Sequence, residues 1–382
     1  MLLQKAIPSD LCSNLLHKFF GVRSPVTLSP PLRSYSTLPA LLNNPFRCLT
    51  MKVNTTSTSP VWRGLQYFSV VSAVALIIVL LVRPRLGLFI AWDVLIPLVP
   101  IMLLVAPMLW RNVCPIAVVG QFFERFGLSR RRKLPRWLQR VAPTISIFLL
   151  FALVPLRLVL FNLDATSLAL LMVVTVVVSL VGGAIITGKA AWCATFCPVL
   201  PVERLYGQRA LVNLPHAHCE TCSGCTRACF DLIPSRSLSV LADSHNKSHN
   251  KSHNKKSPLR PMSLFAVAFP GFVLGYYTAP AGISILLIYL WILMMSVIPA
   301  VTFTIIQRMF SLERTTLHRI CAALAISIYY WFTIPAIALA VVETFGTNAG
   351  SVWLINSVRG VLLVVAAIWL AAGLRNRAAI AV

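Results

Sequence analysis

The stretch LQYFSVVSAVALIIVLLV (residues 65–82) holds no charged residue and has about the length a helix needs to cross hydrocarbon, roughly 20 residues. Seven more apolar runs follow, at 87–110, 142–161, 167–188, 263–279, 282–306, 317–342 and 352–373. The chain as a whole is 58% apolar and only 12% charged. A soluble domain carries roughly 25% charged residues. Packing an ordinary core does not require such a deficit. The expected fold class is therefore an all-α polytopic membrane protein with about eight transmembrane helices. The fifth run, SLFAVAFPGFVLGYYTA (263–279), is the weakest: it is short and carries Pro270 and two glycines, so a broken or re-entrant segment is the alternative there.

The formal charge is +24. A nucleic-acid partner is not the expected cause, because the basic residues cluster in the links between apolar spans. The 111–140 link carries eight Lys/Arg, including RRRK at 130–133, and the 189–260 link carries ten. Links after the fifth and seventh runs carry none. Basic loops face the cytoplasm and its anionic lipid. The pattern predicts a multi-pass protein of the inner (cytoplasmic) membrane with both termini and all cysteine motifs on the cytoplasmic side. Residues 1–60 are rich in Ser, Pro and Leu with one acid, Asp10. They match an organellar transit peptide in composition, which would place the protein in an organellar inner membrane. The preferred alternative is an over-extended start, with Met51 as the true beginning.

Seven of the ten cysteines fall between 114 and 229. HCETCSGCTRAC (218–229) spaces four of them as C-x2-C-x2-C-x3-C. Two-residue gaps let a turning backbone aim successive thiolates at one small cluster, so Cys219, Cys222, Cys225 and Cys229 are expected to hold one 4Fe–4S cluster in a small ferredoxin-like loop. Zinc is the competing ligand, although its sites favour two well-separated cysteine pairs. The fourth cysteine precedes Phe230 rather than Pro, and no second run exists. Two ligand schemes stay open: these four residues, or three of them with Cys197.

CATFCP (193–198) follows the fourth span. If the helix continues through it, Cys193 and Cys197 lie at i and i+4 on one face. They are then candidate redox thiols, cluster ligands or metal ligands. CPIAVVGQFFERFG (114–127) and CPVLPVERLYG (197–207) form an internal repeat: a helix pair, Cys-Pro, Glu-Arg, then Gly. Trp110 takes the place of Cys193 in the first half, leaving Cys114 alone. Within the spans, Asp93, Arg157, Glu343 and Arg359 are costly in lipid and therefore candidates for function. Asp93, in AWDVLIP, is the candidate acceptor of a quinol proton. The other three are expected to snorkel or to pair with one another. SHNKSHNKSHNKK (244–256) reads as a flexible linker.

Helix pairs ending in Cys-Pro, followed by a C-x2-C-x2-C-x3-C run, resemble the membrane-bound polyferredoxin group over residues 65–235. That group includes the quinol-oxidising NapH type, the NosR type of nitrous-oxide-reductase maturation and the CcoG/RdxA type of oxidase assembly. NapH-like chains typically carry two C-x3-C-P motifs and two ferredoxin runs. This chain has one full motif, half of another and a single run. The resemblance implies a membrane-anchored iron–sulfur electron-transfer protein, an oxidoreductase subunit working between a quinone or a thiol pair and a partner redox protein. The alternatives are an assembly factor that reduces or hands copper to a metalloenzyme client, and a redox-sensing regulator. The expected organisation is a tail (1–60), a four-helix repeat unit (61–188), the cysteine region (189–243), a linker (244–260) and a C-terminal four-helix region (261–382).

Overall fold

The computed structural model describes residues 60–130, 132, 134–186, 191–207, 211–212, 214, 261–310, 313–346 and 352–375. Its elements are helices, and among the described residues the single β contact is an isolated bridge between Arg132 and Ile186. Helix α1 spans Pro60–Val82 and α2 spans Pro84–Val105, the latter interrupted by a π-helical turn at Ile90–Leu95. Three short helices follow: α3 (Pro107–Val113), α4 (Pro115–Gly120) and α5 (Phe122–Arg125). Helix α6 (Arg136–Leu156) ends in a second π-turn, Arg157–Phe161, and α7 covers Ala165–Ile185. Then come α8 (Leu200–Tyr206), α9 (Pro261–Tyr277), α10 (Ile285–Met309), α11 (Arg314–Phe345) and α12 (Val352–Arg375).

Seven helices are long and apolar enough to cross a membrane: α1, α2, α7, α10, α11, and the segments Arg140–Phe161 and Val352–Gly373 of α6 and α12. Their composition alone does not demand helix. The VVTVVV stretch of α7 is rich in β-branched residues, which by propensity favour strands. Hydrocarbon offers the backbone no partner, so a lone spanning segment must satisfy its own N–H and C=O groups, and only the helix does so. Where α7 begins, Asp164 accepts hydrogen bonds from the Thr166 and Ser167 amides, each at 3.0 Å. These bonds, led by that from the Ser167 hydroxyl, hold the exposed Asp164 carboxyl below the usual carboxylate range.

The fifth apolar run, expected as the weakest of eight spans with a broken or re-entrant segment as the alternative, is a continuous helix but shorter than the seven long ones. Helix α9 is continuous through Pro270, and all but four of its 17 residues are buried. At 1.5 Å per residue it rises about 25 Å, short of the roughly 30 Å of a bilayer core. The reason it still holds is its position. It packs on α10, α11 and α6, and its aromatic residues Phe265, Phe269 and Phe272 form the middle of the main core with Leu104, Leu150, Ile292, Ile326 and Trp369. That core draws on helices from both sides of the cysteine region. A second core joins α1, α2 and α7 through Leu76, Leu80, Ala91, Phe161 and Leu168.

Close approach makes the α9–α10 contact. A methyl group added at Gly271 would lie 1.9 Å from the Met295 carbonyl oxygen and 2.6 Å from Pro299. Gly275, one turn on, faces Ile292 and Met295 in the same way. This is the small-xxx-small packing that lets membrane helices touch backbone to backbone. By contrast, α1, α10 and α12 turn large apolar side chains outward, among them Phe68, Val71, Leu286, Leu293 and Val364. An apolar surface of this extent on a folded chain suits contact with lipid.

Candidate functional site

Both Cys-Pro pairs sit at breaks in helix. A proline disfavours α conformation in the residue before it. Cys114, ahead of Pro115, takes φ −54° and ψ 118° and separates α3 from α4. Ala106, ahead of Pro107, breaks the chain in the same manner at φ −143° and ψ 72°. The second motif corrects the i,i+4 expectation. Helix α7 ends at Ile185, and residues 191–196 run in turns rather than helix. The amides of Thr195, Phe196 and Cys197 all donate to the Trp192 carbonyl, at 3.1, 2.9 and 3.1 Å. Cys193 and Cys197 are thus not presented as neighbours on one helix face.

The turn is held from two sides. Ser146 of α6 donates its hydroxyl to the Thr195 carbonyl at 3.0 Å. Cys193 lines a small cleft with Ile116, Ala117 and Gly120 of the first motif and Ser179 of α7. Here α4 lies so close to α7 that a methyl at Gly183 would fall 1.8 Å from the Gly120 carbonyl oxygen. The Ser179 hydroxyl donates to the Ile116 carbonyl at 3.0 Å.

The two halves of the repeat are joined by charge. Arg111, one turn before Cys114, forms an ion pair with Glu203, which follows Cys197 on α8. Their side chains are 4% and 12% exposed, so both are removed from water. The other Glu-Arg dipeptide behaves differently. Arg125 donates to the Gln66 side chain of α1 at 2.6 Å, and Gln66 donates to the Asn112 carbonyl at 3.2 Å. The Cys-Pro end is therefore anchored to α1, α6, α7 and α8 together.

Cys197 and Cys114 are electrostatic neighbours. Burial first, then the Cys114 and Glu203 charges, push the Cys197 thiol well above its ordinary value. Burial likewise lowers the Arg204 and Arg125 guanidinium groups. A thiolate is the nucleophile and a thiol is not. Cys197 is thus expected to react with iodoacetamide at neutral pH more slowly than an ordinary cysteine, and to accelerate only in strongly alkaline solution. Peptide mass spectrometry after timed alkylation checks this; labelling of Cys197 at the rate of an unhindered thiol contradicts it.

The Cys219–Cys229 run and the 244–256 linker lie outside the described residues, as do Cys12 and Cys48. Among the described residues, no group of three or more His, Cys, Asp or Glu is placed to hold a metal ion. Cys321 is fully buried in α11 beside Leu317 and far from any motif in sequence. His318 is buried on the same helix.

Of the two outcomes expected for Arg157, Glu343 and Arg359, snorkelling or pairing with one another, the pairing is not seen among the described residues. Arg157 lies 4.1 Å over the Trp92 ring and donates to Asn162 at 2.7 Å. Arg359 stacks on Trp331 at 4.3 Å and donates to that residue's own carbonyl. Glu343 is exposed. Asp93 is half-buried with Arg157 and Glu343 as its charged neighbours. It stands 12 residues before the end of α2, so about 18 Å of helix separates it from the Cys-Pro end.

Sequence reasoning passed over Arg111, Gln66, Trp92 and Asn162. Arg111 counted only as one loop charge among eight. The available signal was adjacency: an arginine one turn before Cys-Pro, and a tryptophan beside an intramembrane aspartate.

Compared with known proteins, the chain matches no family model, no curated protein and no solved structure.

Proposed function

We propose that this chain is a membrane-anchored iron–sulfur electron-transfer protein of the polyferredoxin group, seated in an inner membrane with its cysteine motifs on the cytoplasmic side. The observation that carries this is the C-x2-C-x2-C-x3-C run within an otherwise apolar, multi-span chain whose links are basic. Cys219, Cys222, Cys225 and Cys229 would hold one 4Fe–4S cluster, or three of them would do so with Cys197. When bound, such a cluster takes up and releases a single electron. Quinol is the proposed electron source, with Asp93 accepting its proton, and a partner redox protein docks on the 189–260 region.

One structural feature favours the second reading, a metalloenzyme assembly factor. Cys114 and Cys197 come from different repeats and yet are neighbours at one end of the bundle. Two thiols so placed suit the handling of a soft metal such as copper, with the client bound through the C-terminal helices.

The test is iron and sulfide quantitation with EPR on the full chain, as wild type and as Cys222→Ser and Cys197→Ser. Four irons per chain and a reduced-state signal that is lost in Cys222→Ser are expected. Zinc in place of iron, with no signal after reduction, ends the electron-transfer proposal. A signal altered in Cys197→Ser identifies Cys197 as a ligand; copper bound at Cys114 and Cys197 without a quinol response supports the second reading.

A further inference from the structure

Two π-helical turns meet in the half of the bundle away from the Cys-Pro motifs, and each carries a charge that lipid disfavours. Ile90–Leu95 of α2 contains Asp93, and Arg157–Phe161 at the end of α6 begins with Arg157. π-Turns are rare within helices and recur at functional positions. These two are tied together: the Trp92 indole donates to the Phe161 carbonyl at 2.9 Å. Arg157 lies over the Trp92 ring at 4.1 Å, faces the Tyr276 ring of α9 at 5.8 Å and donates to Asn162 at 2.7 Å. The guanidinium is held by a ring and an amide, and no ion pair of its own is seen among the described residues.

Asp93 is the residue after Trp92, whose ring holds Arg157, and among the described residues no hydrogen bond or ion pair joins the two charges. The titratable groups that face it are Arg157 from α6, Glu343 from α11 and Tyr276 from α9. A salt-bridged carboxylate gives up its charge only by breaking the bridge. A carboxylate that merely feels a clamped guanidinium gains and loses a proton while the structure around it stays in place.

We propose that Asp93 is a proton-exchanging group in this half of the bundle, and that Arg157 is its positioning residue, setting the pH at which the carboxyl releases its proton. The proposal deepens the Asp93 assignment above and rests on it for the identity of the donor, a quinol hydroxyl. Exchange with water in that half does not need that reading. In either case a carboxylate oxygen gains the O–H bond and loses its charge, and the reverse step returns the proton.

The experiment is infrared difference spectroscopy of the full chain in lipid nanodiscs across a pH series. Wild type is expected to show a carboxylic C=O band that grows as pH falls and is absent in Asp93→Asn. Removing a nearby positive charge disfavours the carboxylate, so Arg157→Gln moves the midpoint to higher pH by about one unit, a tenfold change in proton affinity. Arg157→Met, which keeps aliphatic packing on Trp92, reads the same shift if the Gln variant fails to fold. Arg157→Lys restores most of the wild-type midpoint, which a merely structural role for the side chain would not do. A band that survives Asp93→Asn, or a midpoint unmoved in both the Gln and Met variants, overturns the proposal. Quinol-dependent reduction on the same samples separates the two ideas: normal titration without any quinol response removes the electron-transfer assignment and leaves this one standing.

Discussion

Arg111→Ala is expected to destabilise the protein by about 3–5 kcal/mol, the usual cost of removing one partner from a buried ion pair. The loss does not measure what the pair contributes. It arises because Glu203, 12% exposed, loses its ion-pair partner while staying out of water. Replacing both partners with apolar or neutral residues of similar volume, as in Arg111→Met with Glu203→Gln, is expected to recover most of it. A double-mutant cycle followed by tryptophan fluorescence during denaturation in detergent gives each value. The second consequence is chemical. Glu203 already acts against ionisation of the Cys197 thiol. With Arg111 gone that carboxylate is less well screened, Arg204 being its remaining cationic neighbour, and alkylation of Cys197 slows further. A single variant as stable as wild type, with Cys197 labelling unchanged, would show that the ion pair does not join the two halves of the repeat.

Gly271→Val is expected to cost on the order of 3 kcal/mol or more, at or above the upper end for overpacked cores. The added Cβ would stand 1.9 Å from the Met295 carbonyl oxygen, and a backbone oxygen inside a helix has no rotamer to escape into. Relief requires α9 and α10 to separate by more than an ångström. Helix α9 is enclosed by α6, α10 and α11, so that shift propagates through the main core around Phe269 and Phe272. Gly360→Val on α12 is the control, since nothing lies within 4 Å of its added Cβ. Thermal unfolding in detergent should separate the two variants clearly. Equal melting temperatures would mean that the close α9–α10 crossing is not a determinant of stability.

Most of the spanning helices were legible in the sequence for a single reason. Lipid leaves a backbone no partner, so any long uncharged apolar run must become a helix whatever its propensity. The expected run at 167–188 and the observed α7 at Ala165–Ile185 differ only at their ends, where a cap such as Asp164 decides. The expected 87–110 run went wrong at one place. Pro107 forces Ala106 out of helix, so the apolar stretch divides into α2 and α3. Helix α9 reads as the weakest span for a different reason. Hydropathy reports what lipid tolerates, whereas α9 is set by helices that enclose it, and its glycines are contact points.

The Cys-Pro repeat was visible as a pattern, and the pattern implied that both thiols reach one surface. Which cysteines become neighbours was not in the pattern. Pro198 denies Cys197 a helical backbone, so Cys193 and Cys197 do not share a helix face, and the groups whose charges act on Cys197 are Cys114 and Glu203. The Arg111–Glu203 pair joins residues 92 positions apart. The bond between the two π-turns joins residues 69 apart. By itself, the sequence determined that this chain is helical and multi-span, and which four cysteines share a ferredoxin spacing, because each of these follows from local rules of solvation and backbone geometry. Only the tertiary structure decided which charges meet, which thiols stand together and which helix lies at the centre, because those depend on packing between segments that no local rule relates.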